Sequence, residues 1–390
     1  MTKTKTAKKA TPVTKSKAAQ KPEAKKAAPV KKKTVSEEPV SQKIKDMKSS
    51  DNYYKMPKMT AINAKKKLYT GASFFSGCGG SSTGHKMAGI NMLYANEYVK
   101  AAQDTYELNH PATFMDRRDI RTVTAKEVLK HMGLKKGDLD LLDGSPPCSS
   151  YSAAGTRDKG WNKPKHYSDE VFQRTDDLFQ EFVRILKGVM PKTFVVENVP
   201  GLVHGSAKGV FLEVMEAFKE AGYVVSARIL NASYLGVPQA RERLIFVGVR
   251  NDLAKMGFKP VHPEALPGPQ PTVRDALPHI VAIKRVTNGI LTYVPSDVPS
   301  PTITASDGTN SETAAFSCGG FVETADGERR KYTIKELKRI CAFPPDFQFT
   351  GKYRQKFERM GRAVPPLMMA RVTKEIINQI LTPYYAKISK

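Results

Sequence analysis

A cysteine follows two prolines in the segment Gly144-Ser-Pro-Pro-Cys-Ser-Ser-Tyr-Ser152. Residues 139–143 before it are mostly apolar and predict a short buried strand, so Cys148 lies in a stiff loop just beyond a strand end. Ligands of open α/β sheets bind outside that edge, where a thiolate could act as a nucleophile. A buried cysteine is more often a small packing residue, so Cys148 is a candidate nucleophile with packing as the alternative.

An acidic residue and two arginines lie near two later predicted strands. Glu197 follows the apolar residues 193–196, and a carboxylate that loses its hydration there can hold or deliver a proton. Arg241 and Arg243 precede the strand predicted at 244–249 and share one face of an extended segment. Such a pair suits a carboxylate, a phosphate or a base carbonyl. The alternatives are an ion-paired or helix-capping glutamate and a salt bridge at a sheet edge.

A glycine-rich turn, Phe74-Phe-Ser-Gly-Cys-Gly-Gly80, joins the first predicted strand to a helix. Its glycines allow a tight turn and a close approach to a ligand, although it matches neither GxGxxG nor the phosphate-binding GxxxxGK pattern. Glu97 ends the second predicted strand, where it can accept hydrogen bonds from a ribose diol. Asp119-Ile120 follows a third, at a position suited to an adenine amino group. Together they predict a nucleoside-binding crevice, while each acid taken alone is better explained as a solvated surface carboxylate.

These residues are separated by alternating strand and helix patterns. Apolar runs of strand length alternate with stretches in which apolar residues recur every three to four positions. Strands are predicted at 68–75, 90–96, 139–143, 193–196, 223–230 and 244–249, and helices at 80–89, 99–108, 171–189, 211–221, 333–341 and 366–381. This rhythm predicts a doubly wound α/β domain with the last helix packed back on it.

The chain divides into three kinds of segment. Residues 1–66 contain 19 Lys, no Arg and five acids, a net charge of +14, and almost no aromatic residues. They cannot bury enough apolar surface to fold and are predicted to be disordered, as a DNA tether or as a solvated tail. Residues 67–250 and 331–390 are assigned to the α/β domain. Residues 251–330, proline-rich at first and irregular, are assigned to a small inserted region.

Composition limits the class of protein further. The four cysteines form no CxxC pair, so no metal site and no disulfide framework are expected. No apolar run has the length of a membrane span, and the N-terminus lacks the apolar core of a signal peptide. Of the total charge of +25, the chain after the tail keeps +11. This basic balance favours a polyanionic partner such as nucleic acid over a role in solubility alone.

The order of these motifs resembles that of the DNA cytosine-C5 methyltransferase family. The shared set is Phe75-Ser-Gly-Cys-Gly-Gly80, Glu97, Asp119, Pro146-Pro-Cys148, Glu197-Asn-Val199 and Gln239-x-Arg-x-Arg243. Residues 230–239 and 339–344, Pro301-Thr-Ile-Thr304 and Gly361-Arg-Ala-Val364 resemble further segments of that family. The resemblance covers residues 68–381, nearly everything except the tail.

The resemblance implies transfer of a methyl group from S-adenosylmethionine to carbon 5 of a cytosine flipped out of double-stranded DNA. By analogy with the family, Cys148 would attack C6, Glu197 would hold and protonate N3, and Arg243, with Arg241 beside it, would contact the base and the acid. Residues 251–330 would recognise the target sequence. The cofactor cleft of a Rossmann-like domain would be formed by Phe75, Ser76, Gly77, Cys78, Gly79, Gly80, Glu97, Asp119, Ile120, Pro147, Leu178 and Val364.

The resemblance also carries expectations about partners. Beyond double-stranded DNA, it implies a monomer, with a cognate restriction endonuclease as a further partner. The expected location is the cytoplasm in association with the nucleoid, or the nucleus if the source is eukaryotic. Two other functions remain open: methylation of cytosine in tRNA, because one branch of the family acts on RNA, and a DNA-binding protein without activity.

Three residues depart from the family pattern. Ser149 stands where Gln usually follows the nucleophile, Arg362 stands where Asn is usual, and His85 stands where Phe is common. Ser149 lies where contacts to the flipped base are expected, and Arg362 lies on the carboxylate side of the cofactor. None of the three replaces a group that the chemistry requires, so activity is expected.

Overall fold

The computed structural model describes residues 56–147, 177–287, 290–305 and 321–389, together with the backbone of two short strands at 165–166 and 172–173. Cys148 and Ser149 lie outside the described residues. Within the ranges given, no helix is long and apolar enough to cross a membrane.

Within the described part of the chain, the strands fall into one large sheet and three small ones. In chain order they are β1 (Tyr69–Phe74), β2 (Ile90–Asn96), β3 (Phe114–Asp116), β4 (Leu141–Gly144), β5 (Lys165–His166), β6 (Phe172–Gln173), β7 (Thr193–Asn198), β8 (Tyr223–Asn231), β9 (Gln239–Ala240), β10 (Glu242–Arg250), β11 (Ile280–Thr287), β12 (Ile290–Pro295), β13 (Ser300–Pro301), β14 (Phe321–Thr324) and β15 (Arg329–Lys331).

The α-helices connect these strands and close the C-terminal end. They are α1 (Met59–Ala64), α2 (Gly80–Ala88), α3 (Lys100–Asn109), α4 (Ala125–Met132), α5 (Leu178–Val189), α6 (Lys208–Glu220), α7 (Asn251–Lys255), α8 (Val273–Ala276), α9 (Ile334–Ile340), α10 (Tyr353–Arg362), α11 (Pro366–Ile376) and α12 (Thr382–Ile388). Local signals set several ends. Thr124 and Glu127 form a capping box at the start of α4, and Gly133 ends it in the left-handed conformation.

The large sheet has the order β3-β2-β1-β4-β7-β10-β8. Its strands are parallel from β3 to β7, whereas β10 runs antiparallel to both β7 and β8. Helices cover both faces of the sheet. Successive strand residues point to opposite faces, so neighbouring residues of one strand are buried under different helices. Phe194 and Phe246 belong to an apolar cluster with residues of α4, α5 and α6, while Val195 and Val247 belong to a cluster with residues of α11. The predicted doubly wound, Rossmann-like α/β class is confirmed.

The region predicted to be irregular contains regular structure. Strands β12, β11, β14 and β15 form an antiparallel sheet in that order, between residues 280 and 331. Ile283 and Val322 are buried in an apolar cluster with residues of α9 and α10. The apolar stretches of these strands are brief, and Lys or Arg interrupts the pattern in β11 and β15, so the sequence lacks a long periodic run there. The limits 251 and 330 of the recognition region remain a prediction.

Two predicted boundaries are wrong. The tail was expected to extend to residue 66, but α1 is folded, Met59 and Ile62 are buried, and the Met59 amide donates a hydrogen bond to Asp346 at 2.6 Å. These apolar residues are too few to stand out among the surrounding lysines. The helix expected from residue 171 begins at Leu178, and β6 pairs with β5 before it.

Helix α2 lies directly against α11, and Gly84 makes this approach possible. A Cβ at Gly84 would lie against the carbonyl oxygen of Pro366 and 2.8 Å from the Ala370 nitrogen, both of which are backbone atoms. A side chain there would therefore push the two helices apart. Gly209, near the start of α6, has open space around its Cβ position.

We expect Gly84→Ala to lower the free energy of unfolding by about 1–3 kcal/mol, the usual range for overpacking. The matched control Gly209→Ala should raise it by about 0.5–1 kcal/mol, because alanine is the better helix former. Equilibrium denaturation in urea measures both. A Gly84→Ala protein as stable as the control variant would contradict the packing described for α2 and α11.

Candidate active site

A cavity of about 400 Å³ opens where the carboxyl ends of β1, β2, β4 and β7 meet. Ligands of doubly wound domains bind at this edge, because the loops leaving neighbouring strands diverge there. Every predicted site residue that the structure describes lines the cavity, except Gly79 and Asp119. The lining includes Phe75, Ser76, Gly77, Cys78, Gly80, Glu97, Tyr98, Ile120, Ser145, Pro147, Leu178, Glu197, Arg241, Arg243, Arg359, Arg362 and Val364.

The turn after β1 holds a strained backbone against the cavity. Phe75 and Gly77 have φ angles of 55° and 54°, in the left-handed region that a phenylalanine rarely adopts. The Ser76 hydroxyl contacts the carbonyl oxygens of Ser73 and Asn96, each at 3.0 Å, and so joins β1 to β2. A Cβ at Gly80 would lie 2.5 Å from the carbonyl oxygen of Val364. Glycine at this position lets the C-terminal segment close over the turn.

Glu97 anchors the turn from the end of β2. One carboxylate oxygen accepts a hydrogen bond from the Gly77 amide and the other accepts one from the Val99 amide, both at 2.8 Å. The Tyr98 amide contacts the same carboxylate, which keeps acceptor capacity for a ligand. Burial raises the pKa of this carboxyl, while the three amides and the nearby Arg359 guanidinium oppose the rise.

Two of the four thiols are buried and unreactive. Burial raises the pKa of Cys78 to about 12 and that of Cys341 to about 11. Both thiols therefore stay protonated at neutral pH, and a thiol is a poor nucleophile compared with a thiolate. Cys78 lines the cavity only as a small apolar wall. The described part of the segment before Cys148 does reach the cavity, through Ser145 and Pro147.

An ion pair stands at the end of β7. The Arg243 Nε lies 2.7 Å from a Glu197 carboxylate oxygen, and both side chains are mostly buried while still lining the cavity. The antiparallel pairing of β10 with β7 brings them together, since Ile245 is opposite Glu197. The next residue, Asn198, donates a hydrogen bond to the carbonyl oxygen of Pro146 at 3.1 Å. The carboxylate is thereby fixed relative to the proline loop.

Arg241 was predicted to share a ligand with Arg243, but the contacts of its side chain are different. Its side chain is 2% exposed and donates to the carbonyl oxygens of Ile303 at 3.0 Å and Gly361 at 2.9 Å. Burial lowers the pKa of this guanidinium to about 10, so it remains charged at neutral pH. The predicted catalytic role is not supported, because its donors hold two backbone segments that form the cavity wall.

Asp119 and Gly79 also differ from the prediction. The Asp119 carboxylate accepts hydrogen bonds from the backbone and side chain of Arg121, at 3.0 Å and 2.9 Å, and caps a short turn beside the cavity. Ile120, the next residue, does line it. Gly79 faces away, since its Cβ would meet His110 at 2.5 Å. Neighbouring residues of a turn point in different directions, and the sequence alone does not assign them.

Several lining residues were missed in the sequence. Tyr98 follows Glu97, and an aromatic side chain directly after the predicted ribose acid could have been recognised as a second wall. Arg359 is 4% exposed and lies close enough to Cys78 and Glu97 to influence the pKa of both. No local signal marks Arg359, because only the packing of α10 brings it to strands that are more than 250 residues earlier.

Comparison with known proteins agrees with this geometry. The family model of the C-5 cytosine-specific DNA methylase matches residues 69–294 and 295–378. The type II methyltransferase M1.HphI of Haemophilus parahaemolyticus is 30% identical over 78% of this chain and 85% of its own. M.FnuDI of Fusobacterium nucleatum is 30% identical over 80% of this chain and 94% of its own.

Solved structures show the same fold. The Dnmt2 methyltransferase of S. pombe has a TM-score of 0.57 at 18% identity, over 81% of this chain and 99% of its own. The methyltransferase EhMeth of Entamoeba histolytica has a TM-score of 0.55 at 16% identity, over 80% and 99%. The chain belongs to the C-5 cytosine-specific DNA methylase family and is a DNA cytosine-5 methyltransferase.

We expect Cys78 and Cys341 to resist alkylation in the folded protein. Because the pKa values of both thiols are raised, iodoacetamide at pH 8 should label them at least ~100-fold more slowly in the folded protein than in denaturant. Mass spectrometry of the two peptides measures the rates, and the denatured protein is the internal control. Labelling of Cys78 at the denatured rate would contradict the burial described here.

Proposed function

We propose that the protein methylates carbon 5 of a cytosine flipped out of double-stranded DNA through a covalent bond between Cys148 and C6. One observation carries the proposal. Glu197 and Arg243 both line the cavity, and the Arg243 Nε lies 2.7 Å from a carboxylate oxygen of Glu197. The pair is next to the proline loop that leads to Cys148. An acid held by a guanidinium suits the N3 and O2 edge of a cytosine, and a base must leave the duplex to reach such a pocket.

The described residues fit S-adenosylmethionine as the cofactor. A cavity of about 400 Å³ lies within the range of small-molecule sites. The strained turn at Phe75–Gly77 exposes backbone close to the cavity, the Glu97 carboxylate suits a ribose diol, and Leu178 and Val364 offer apolar walls. When bound there, the cofactor would supply an electrophilic methyl group on a sulfonium. Its further contacts would be Ser76, Cys78, Gly80, Ile120 and Pro147.

The chemistry needs a nucleophile because C5 of cytosine is only weakly nucleophilic. The Cys148 sulfur would bond to C6, and the electrons of the C5–C6 double bond would make C5 an enamine-like carbon. C5 would then form its bond to the methyl carbon as the bond from that carbon to the cofactor sulfur breaks, which would leave S-adenosylhomocysteine. Loss of the C5 proton to a base and cleavage of the bond between C6 and sulfur would restore the aromatic ring and the free thiolate.

Glu197 and Arg243 would act on the ring during the attack. Proton delivery to N3 from Glu197 removes the negative charge that addition at C6 would otherwise place on the base. Arg243 fixes the orientation of the carboxyl through its Nε and can direct its remaining donors to the base O2. The hydrogen bond from Asn198 to Pro146 keeps this pair in register with the nucleophile loop.

DNA is favoured over tRNA as the substrate because relatives of this chain are type II methyltransferases. By the same comparison, we propose a cognate restriction endonuclease as a partner and a bacterial cytoplasm as the location. The Dnmt2 structure is 18% identical and bears on the fold alone. Transfer of tritiated methyl groups to duplex DNA and to tRNA, measured side by side, tests the choice. Label in tRNA only would refute the DNA assignment.

Cys148→Ala is expected to reduce methyl transfer by ~10³-fold or more, because the covalent route is lost. The variant should also form no stable adduct with DNA that contains 5-fluorocytosine, where fluorine blocks loss of the C5 substituent and traps the wild-type enzyme. Denaturing electrophoresis detects the adduct, and Cys341→Ala, at a buried thiol outside the cavity lining, is the control that should still be trapped. Transfer at the wild-type rate by Cys148→Ala would refute the covalent mechanism.

Glu197→Gln is expected to lower the turnover number by about 10²–10⁴-fold, the usual contribution of a positioned general acid. The substitution keeps the shape of the side chain and removes the proton that N3 would receive. Glu264→Gln is the matched control, since Glu264 also pairs with an arginine, Arg228, but on the exposed surface. Single-turnover methylation separates the chemical step from binding, and equal rates for the two variants would refute the role of Glu197.

A further inference from the structure

A histidine and an aspartate face each other in the interior beneath the cavity. His85 on α2 is 0% exposed and Asp143 on β4 is 2% exposed, and the His85 Nε2 lies 3.2 Å from an Asp143 oxygen, Oδ1. Neither of these two atoms has another hydrogen-bond partner among the described residues. The mechanism proposed above uses neither side chain, and His85 is one of the three departures from the family pattern.

The surrounding hydrogen bonds determine where the protons lie. The Thr373 hydroxyl donates its single proton to the carbonyl oxygen of Met369 at 2.7 Å. The same hydroxyl oxygen lies 2.7 Å from His85 Nδ1, so it must accept there, and Nδ1 carries a hydrogen. On the other side, the Ser73 hydroxyl donates to the second Asp143 oxygen, Oδ2, at 2.7 Å.

One further proton is then needed between the pair. If His85 Nε2 were bare and Asp143 ionised, two lone pairs would face each other at 3.2 Å in an apolar interior, which is strongly unfavourable. A proton on Nε2 turns the contact into an imidazolium–carboxylate pair. Ser73 can donate to Oδ2 whichever atom holds the proton between the pair. We assign the ionised form because a carboxylate then accepts charge-assisted hydrogen bonds from both Ser73 and Nε2, and these are stronger than neutral ones.

Three members of this network, Ser73, Asp143 and His85, belong to elements that form walls of the cavity. Ser73 lies in β1 just before Phe75 and Ser76, and Asp143 lies in β4 just before Ser145 and Pro147. His85 lies in α2, which begins at Gly80. Residues that line a site keep their geometry only if the layer behind them is fixed.

We propose that His85 and Asp143 form a buried ion pair that positions the walls of the cofactor cavity and the start of the nucleophile loop. They are positioning residues, since they lie behind the lining and do not reach the cavity. The proposal rests on the proposed function insofar as it takes this cavity to be the site of S-adenosylmethionine.

The same strand supplies a matched control at its opposite end. Asp140, just before β4, is 3% exposed, accepts a hydrogen bond from the Thr70 hydroxyl at 3.0 Å and lies 3.1 Å from Lys192 Nζ. It thus repeats the arrangement of Asp143 with a β1 hydroxyl and a buried cation. It lies at the amino end of the sheet, away from the cavity.

The first experiment compares Asp143→Asn with Asp140→Asn in the full chain. Calorimetry with S-adenosylhomocysteine, the product form of the cofactor, measures the dissociation constant, and thermal unfolding measures stability. We expect both variants to lose stability but only Asp143→Asn to bind at least tenfold more weakly. A dissociation constant within twofold of wild type for a folded Asp143→Asn would overturn the proposal, as would equal weakening in both variants.

The second experiment needs no folded variant at Asp143. Nitrogen NMR of the wild-type protein labelled with ¹⁵N-histidine reports whether each ring nitrogen is protonated, and His85→Phe assigns the signal. We expect both nitrogens of His85 to be protonated at pH 7.5. A bare Nε2 would overturn the ion pair. If wild type showed the doubly protonated ring but bound no S-adenosylhomocysteine, the ion pair would stand, whereas its positioning role and the proposed function would fail together.

Discussion

One buried guanidinium group joins three parts of the chain that are far apart in sequence. Arg241 lies between β9 and β10, and its donors reach the carbonyl oxygens of Ile303, after β13, and Gly361, in α10. Backbone carbonyls in an interior without water need such donors, and a buried cation needs such acceptors. This mutual requirement attaches the C-terminal helices to the sheet, so the wall of the cavity opposite the strand ends depends on it.

The residues on the strand side of the cavity could be predicted because their signals are local. An apolar run followed by glycines, or by an acid, places a side chain at the carboxyl end of a strand, and parallel strands bring such ends to one edge. Glu97, Pro147 and Glu197 follow this rule, and all three line the cavity. The rule does not predict the direction of each side chain within a turn. It therefore could not show that Asp119 caps its own turn while Ile120 lines the cavity.

The opposite wall could not be predicted by the same argument. Arg359 and Arg362 reach the cavity only because α10 packs beside the turn at Gly80, a contact fixed by tertiary structure. The small antiparallel sheet was missed for a related reason. Its residues Ile280, Ile283 and Val322 are buried in one cluster with α9 and α10, and that partner is not evident from the sequence of the strands alone.

The strand β4 shows how buried charge constrains which substitutions can occur singly. At each end an aspartate is paired with a hydroxyl of β1 and a cation, Lys192 at the amino end and His85 at the carboxyl end. A phenylalanine at position 85, as is common in the family, would leave Asp143 ionised in an apolar interior with only Ser73 to compensate it. The histidine and the aspartate therefore depend on each other. The sequence alone shows His85 only as a difference from the family pattern and gives no reason to connect it with Asp143.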